Sequence, residues 1–352
     1  MSENKLRITM YSSADKVSGQ GVGSAYLEQV ELLREEASDL FEIAINDWFK
    51  PADIKHFHTI DPGFMIPMLD KKTVKIAYCH FLPDTVIDGS INMPAAFQPI
   101  ASKYIINFYK LADRLVVVNP NFKPDLVRYG IPENKIYYIP NYVSKEVFHT
   151  LGEESRIEER KKYGIKEDAF VVIGAGQVQT RKGVIDFCQT AQMCPDIEFV
   201  WAGGFSFGII TDGYEELKRL MANPPENVHF IGIVERSEMV KVYNMADVLF
   251  MPSYNELFPM TILEAVNLHI PIVLRDLDLY KDILFGHYMA GENNEQFAQL
   301  LESLKNDPDL YKKQEEQSAA ISEYYSKEHV ASMWRKFYVD AYREKQNELK
   351  NK

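Results

Sequence analysis

Short apolar runs alternate with longer amphipathic stretches along almost the whole chain. That alternation permits little besides a parallel sheet covered by helices on both faces. Residues 7–11 are predicted to form a first strand, and a helix over 21–40 follows a glycine-rich loop. Residues 41–45, 54–58 and 75–80 read as strands, 95–112 as a helix, 114–119 as a strand, 121–129 as a helix and 136–139 as a strand. This completes one doubly wound unit. A polar stretch at 152–162 intervenes and the pattern restarts, with strands at 170–174, 197–203, 228–231, 248–251 and 272–274 separated by helical patterns. The domain boundary is placed within 145–165, giving units 1–150 and 151–322. A tail helix over 323–352 carries Trp334, Phe337, Tyr338, Ala341 and Tyr342 on one stripe that needs a surface to cover.

The composition fits two cores. The chain has 352 residues, 46% of them apolar, more than one ordinary core holds. A net charge of -12 disfavours non-specific binding to nucleic acid, and no nucleic-acid motif is present. There is no signal-peptide pattern at the start and no uncharged apolar run long enough to span a bilayer. Cys79, Cys188 and Cys194 lack zinc-like spacing, and structural disulfides are not expected. These features predict a cytoplasmic protein. Residues 1–150 hold 16 basic against 18 acidic residues, net -2, whereas the remainder holds 23 against 33, net -10. The first half is therefore the better suited to an anionic surface. Residues 97–110, with Ile100, Tyr104, Ile105, Phe108, Tyr109, Lys103 and Lys110, suit either an interfacial helix or a core helix.

Three segments carry the chemistry. In residues 246–265 an apolar strand runs into a loop with Glu256 and then into a helix with Glu264. Ligands of open α/β sheets bind beyond the carboxyl ends of strands, and the helix start at Met260 and Thr261 suits phosphate. Two carboxylates remain for hydroxyl groups. Residues 174–183 turn on Gly174 and Gly176 and enter a helix past Arg181, Lys182 and Gly183, so a diphosphate would find amides and cations there. Residues 12–26 contain Gly19, Gly21 and Gly23, which let backbone approach a ligand closely. A dinucleotide fingerprint is spaced differently, and neither Asp39 nor Glu42 closes a second strand. His56, His58 and His80 lie where apolar strands end, without metal-ligand spacing.

The run Glu256-Leu-Phe258-Pro259, four residues, Glu264-Ala265 resembles the Glu-seven-residues-Glu motif of retaining glycosyltransferases of family four, which have the GT-B fold. That resemblance implies two Rossmann-like domains facing a cleft, with the last helix crossing back to the first. It also implies that Glu256 faces the donor sugar, with Phe258, Met260 and Thr261 beside it, while Glu264 holds the nucleotide ribose. Lys182 matches the family's phosphate-binding lysine. Gln177 stands where the family has arginine, so Arg181 is the candidate substitute; Pro259 replaces the usual glycine. Gly21 and Gly23 are placed against donor phosphate, and His80 near the reacting centre. The catalytic residues implied are His80, Lys182 and Glu256; no metal and no cofactor are implied, a UDP-sugar being the substrate.

The runs over 19–26 and 176–183 look like those of bacterial glycolipid synthases of this family. These add a hexose to diacylglycerol or glucosyl-diacylglycerol, building lipoteichoic-acid anchors. The likeness implies a lipid acceptor and peripheral attachment to the inner face of the membrane. Glucose and galactose both stay open, as does a soluble or protein acceptor. A non-catalytic partner of the same fold is the remaining alternative, favoured by the missing arginine at Gln177.

Overall fold

The structure is a computed structural model and describes residues 5–14, 21–80, 82–83, 97–205 and 211–351. Ser18, Gly19 and Gln20 of the glycine loop, and Phe81 beside His80, lie outside these. The described residues divide into two compact units, one formed by Val143–Tyr324 and the other by those up to Tyr142 together with those from Tyr325 onward.

In the first unit β1 (Leu6–Tyr11), β2 (Phe41–Ile45), β3 (Ile54–Phe57), β4 (Val74–Cys79), β5 (Arg114–Val117) and β6 (Ile136–Tyr138) form a parallel sheet in the order β2-β1-β3-β4-β5-β6. Their near-continuous apolar runs are what a sheet covered on both faces requires. The strand order reverses between β1 and β3, so the ends of these two strands mark a crevice. The helix Lys327–Lys350 belongs to this unit. It buries Trp334, Phe337, Tyr338 and Ala341, while Tyr342 is half-buried. Arg335 pairs with Asp39, Lys327 with Glu35 and Lys345 with Asp113, which tie the helix to the Gly21–Glu36 helix and the sheet. The Gln98–Leu111 helix turns Ile105, Phe108 and Tyr109 into the core and leaves Phe97 and Ile100 exposed.

In the second unit β7 (Phe170–Ala175), β8 (Ile197–Ala202), β9 (Val228–Gly232), β10 (Val248–Met251), β11 (Ile272–Arg275) and β12 (Met289–Gly291) are parallel in the order β12-β11-β10-β7-β8-β9. The order reverses between β7 and β10. One core cluster includes Phe187, Phe199, Trp201, Phe250 and Phe297. The polar stretch before β7 is a helix, Glu153–Lys162. Glu153 and Glu154 stand in its first turn and Arg160, Lys161 and Lys162 in its last, which suits the helix dipole. Arg160 is buried, with Nη2 at 2.9 Å from Asp247 Oδ2 and its other donors on the carbonyls of Met245, Glu167 and Ala169. A charged, fully bonded anchor does here what an apolar stripe does elsewhere, so periodicity does not reveal it.

Candidate donor site

In the second unit the loops that leave β7 and β10 meet at the strand-order reversal. After β7 the chain makes a short turn, Thr180–Lys182, and enters the helix Val184–Met193 through Gly183. Gly183 has φ +69°, and a Cβ there would stand 2.3 Å from the Pro252 carbonyl oxygen. Glycine is required for the two loops to come this close. The Tyr254 amide donates to the Arg181 carbonyl at 2.8 Å and zips the loops together.

Lys182 and Glu256 are joined across this seam by a 2.6 Å ion pair, with side chains 13% and 5% exposed. Burial pushes the Lys182 ammonium below its ordinary pKa; the Glu256 carboxylate opposes that shift, and Arg181 adds to it by like-charge repulsion. Arg181 is therefore electrostatically coupled to Lys182, and its Nη1 is held by the Asn255 carbonyl at 3.2 Å. Gln177 accepts from Gln179 at 2.8 Å. Gly176, at φ +137°, lies against the Lys182 methylenes, and its carbonyl accepts from Trp201 Nε1 at 3.1 Å.

Glu264 is buried on the helix Met260–Val266. Its Oε1 pairs with Arg236 and its Oε2 accepts from Tyr243 Oη at 2.8 Å. Both partners come from the helix Arg236–Asn244, two turns apart on one face. Burial and the Glu264 charge push the Tyr243 hydroxyl well above its ordinary pKa, so it remains a donor. Phe258 and Met260 are buried and Thr261 half-buried around the same helix start. A second network fastens the β10 loop. Arg275 donates to the Pro252 carbonyl, pairs with Asp186 at 2.9 Å and lies 3.9 Å over the Tyr254 ring. Arg236, Tyr243, Asp186 and Arg275 were not singled out from the sequence. Arg236 and Tyr243, seven apart, carry a shared helical face as their only signal.

In the first unit Gly21 opens the Gly21–Glu36 helix, and a Cβ on Gly23 would meet the Ala14 carbonyl oxygen at 2.7 Å. His56 Nδ1 lies 2.7 Å from Tyr338 Oη, which accepts from Gln29 Nε2 at 3.0 Å. The tyrosine proton thus goes to His56, whose own proton sits on Nε2. His58 lies between them, with ring centroids 4.4 Å from His56 and 5.9 Å from His80. Burial drives His56 and His80 down to about 3, and His58 well below 6.5, so all three are neutral. Both His58 nitrogens and His80 Nε2 are buried without a hydrogen-bond partner among the described residues. His80 belongs to this cluster; Lys182, Glu256 and Glu264 belong to the second unit. Among the described residues no group of three or more His, Cys, Asp or Glu has a metal-holding arrangement.

Residues 155–321 match the family Glycosyl transferases group 1, and residues 33–147 match Glycosyltransferase Family 4. The chain is 47% identical over 340 residues to the alpha-galactosylglucosyldiacylglycerol synthase of Streptococcus pneumoniae, covering 96% of this chain and 90% of that protein. It is 28% identical over 304 residues to the processive diacylglycerol alpha-glucosyltransferase of Acholeplasma laidlawii, covering 85% and 88%. Among solved structures, Anabaena HepE in complex with UDP-glucose superposes with a TM-score of 0.74 at 13% identity, over 95% of this chain and all of that one. The sucrose-phosphate synthase of Thermosynechococcus elongatus gives 0.74 at 14% identity, over 96% and 100%. These structural likenesses establish the GT-B fold.

Proposed function

Because the chain belongs to the group 1 glycosyltransferases of family four, we propose that it moves a hexose, glucose or galactose, from a UDP-sugar to a glycolipid. The acceptor is diacylglycerol or glucosyl-diacylglycerol, and the anomeric configuration is retained. The observation that carries the reading is the buried Lys182–Glu256 pair at the β7/β10 reversal, next to a carboxylate already oriented by two donors. The acceptor is supported by the likeness to the pneumococcal and Acholeplasma diacylglycerol glycosyltransferases.

In the resting protein Glu256 holds Lys182 in place. An arriving diphosphate offers Lys182 a second anionic partner and frees the Glu256 carboxylate for donor hydroxyls. Lys182, with Arg181 beside it, then stabilises the charge that grows on the leaving diphosphate as the anomeric C–O bond breaks. The acceptor oxygen bonds to the same carbon from the same face, and its proton passes to the departing diphosphate. Each Glu264 oxygen keeps a second lone pair for a ribose hydroxyl, with Arg236 and Tyr243 fixing its direction. His80 is assigned to the catalytic set on the family likeness alone. Lys182 and Arg181 supply the positive charge for this transfer, and no cofactor is assigned. Attachment is peripheral, on the inner face of the membrane, with products serving as lipoteichoic-acid anchors. No helix among the described residues is long and apolar enough to cross a membrane.

The test is a screen of UDP-glucose and UDP-galactose against vesicles containing diacylglycerol or glucosyl-diacylglycerol, read by product mass. One added hexose on a lipid is the expected result. Transfer confined to water-soluble acceptors would overturn the assignment.

A further inference from the structure

We propose that the first unit docks on an anionic bilayer through an exposed apolar patch formed by Trp48, Phe49, Ile66 and Leu69 and flanked by Lys50, Lys71 and Lys72. The proposal rests on the glycolipid reading and names the surface that would deliver the acceptor.

The patch is built from two adjoining pieces. One is the turn that follows β2; the other follows β3 and contains the helix Met65–Met68. They abut through Trp48, whose ring lies 5.8 Å from Phe64 and 5.4 Å from Tyr11. Asp47 Oδ1 accepts the amides of Phe49 and Lys50 at 3.2 and 3.1 Å, which fixes the turn and points Phe49 outward, 97% exposed. In the second piece Phe64, Pro67 and Met68 face the core. Ile66 and Leu69, three apart, stand on the opposite side, 72% and 65% exposed.

Charge selects the partner. Asp70 is paired with Lys55 at 2.7 Å, while Asp47 and Asp61 keep their charge and accept from the turn amides and from Ser13 Oγ at 2.8 Å. Lys50, Lys71 and Lys72 are exposed, and the latter two have no acidic partner among the described residues. Exposed apolar tips beside lysines suit shallow insertion below anionic headgroups. The patch lies on the two crossovers that run from the carboxyl ends of β2 and β3 back to the amino ends of β3 and β4.

The test is sedimentation of the full chain with phosphatidylglycerol–phosphatidylcholine vesicles. It is run beside transfer to a dispersed short-chain glucosyl-diacylglycerol, with thermal melts as a folding control. Phe49→Ser/Ile66→Ser/Leu69→Ser should weaken vesicle binding about tenfold or more and leave short-chain transfer unchanged. Lys50→Gln/Lys71→Gln/Lys72→Gln should cost roughly fivefold per lysine and remove most of the salt dependence. Parental sedimentation of the folded apolar variant would overturn the proposal. So would loss of binding in Phe97→Ser/Ile100→Ser alone, which would move docking to the Gln98–Leu111 helix. A parent that ignores vesicles but glycosylates the short-chain lipid defeats the docking surface and leaves the function standing. A parent that binds vesicles and glycosylates neither lipid defeats the functional reading and leaves the surface.

Discussion

Replacing Lys182 by alanine should damage both stability and turnover, and a second substitution should separate the two. The 2.6 Å pair is nearly inaccessible, with Glu256 only 5% exposed, so Lys182→Ala leaves a buried carboxylate without its cation. Removing one partner of such a pair costs about 3–5 kcal/mol. The double variant Lys182→Met/Glu256→Gln substitutes an apolar chain and a neutral amide of similar size, and should recover most of that loss. Turnover should not recover. The missing cation no longer stabilises the leaving diphosphate, and the loss should be on the order of a hundredfold in kcat. Urea titration of the full chain reads the first quantity, and UDP release from a UDP-sugar the second. Undiminished stability in Lys182→Ala would show that the pair contributes nothing to the fold. Parental turnover in the double variant would remove Lys182 from the chemistry.

Arg236→Ala should weaken UDP binding by about 1.5–3 kcal/mol, since Glu264 loses the charged partner that orients it; calorimetry giving the parental affinity would disconnect Arg236 from the nucleotide. Tyr338→Phe strands the Gln29 amide and His56 Nδ1 in the first unit, and should cost about 1–3 kcal/mol by urea titration with kcat intact. Acid should unfold the protein through its histidines. The unfolded chain binds protons below pH 6.5, and the buried rings of His56 and His80 resist them down to about 3. Stability is thus complete above pH 6.5 and falls by about 2 kcal/mol per histidine by pH 5. An equal melting temperature at pH 7.5 and pH 5 would mean that these rings are not buried and neutral.

The sequence is most legible where burial makes it repetitive. β7 and β10 are unbroken apolar runs, and their ends place Lys182 and Glu256 in loops that the strand order then joins. What local pattern cannot express is partnership over distance. Lys182 and Glu256 read as two separate roles, phosphate and sugar, yet in the resting protein they bind each other. Glu264 reads as a bare acceptor, while its two oxygens are held by residues 21 and 28 positions earlier in the chain. The helix Glu153–Lys162 reads as a polar connection because its anchor is an arginine whose carboxylate partner, Asp247, lies 87 residues away. Gly23 reads as a ligand-facing glycine, and the space in front of it holds the Ala14 carbonyl.

The anomeric configuration of the lipid product tests the central claim most directly. Parent protein is incubated with UDP-glucose or UDP-galactose and glucosyl-diacylglycerol vesicles, and the product is isolated and examined by proton NMR, with Lys182→Ala run in parallel. A single added hexose in the α configuration is expected, formed about a hundredfold more slowly by the variant. A β-linked product, or an α-linked product formed at the parental rate without Lys182, would contradict it.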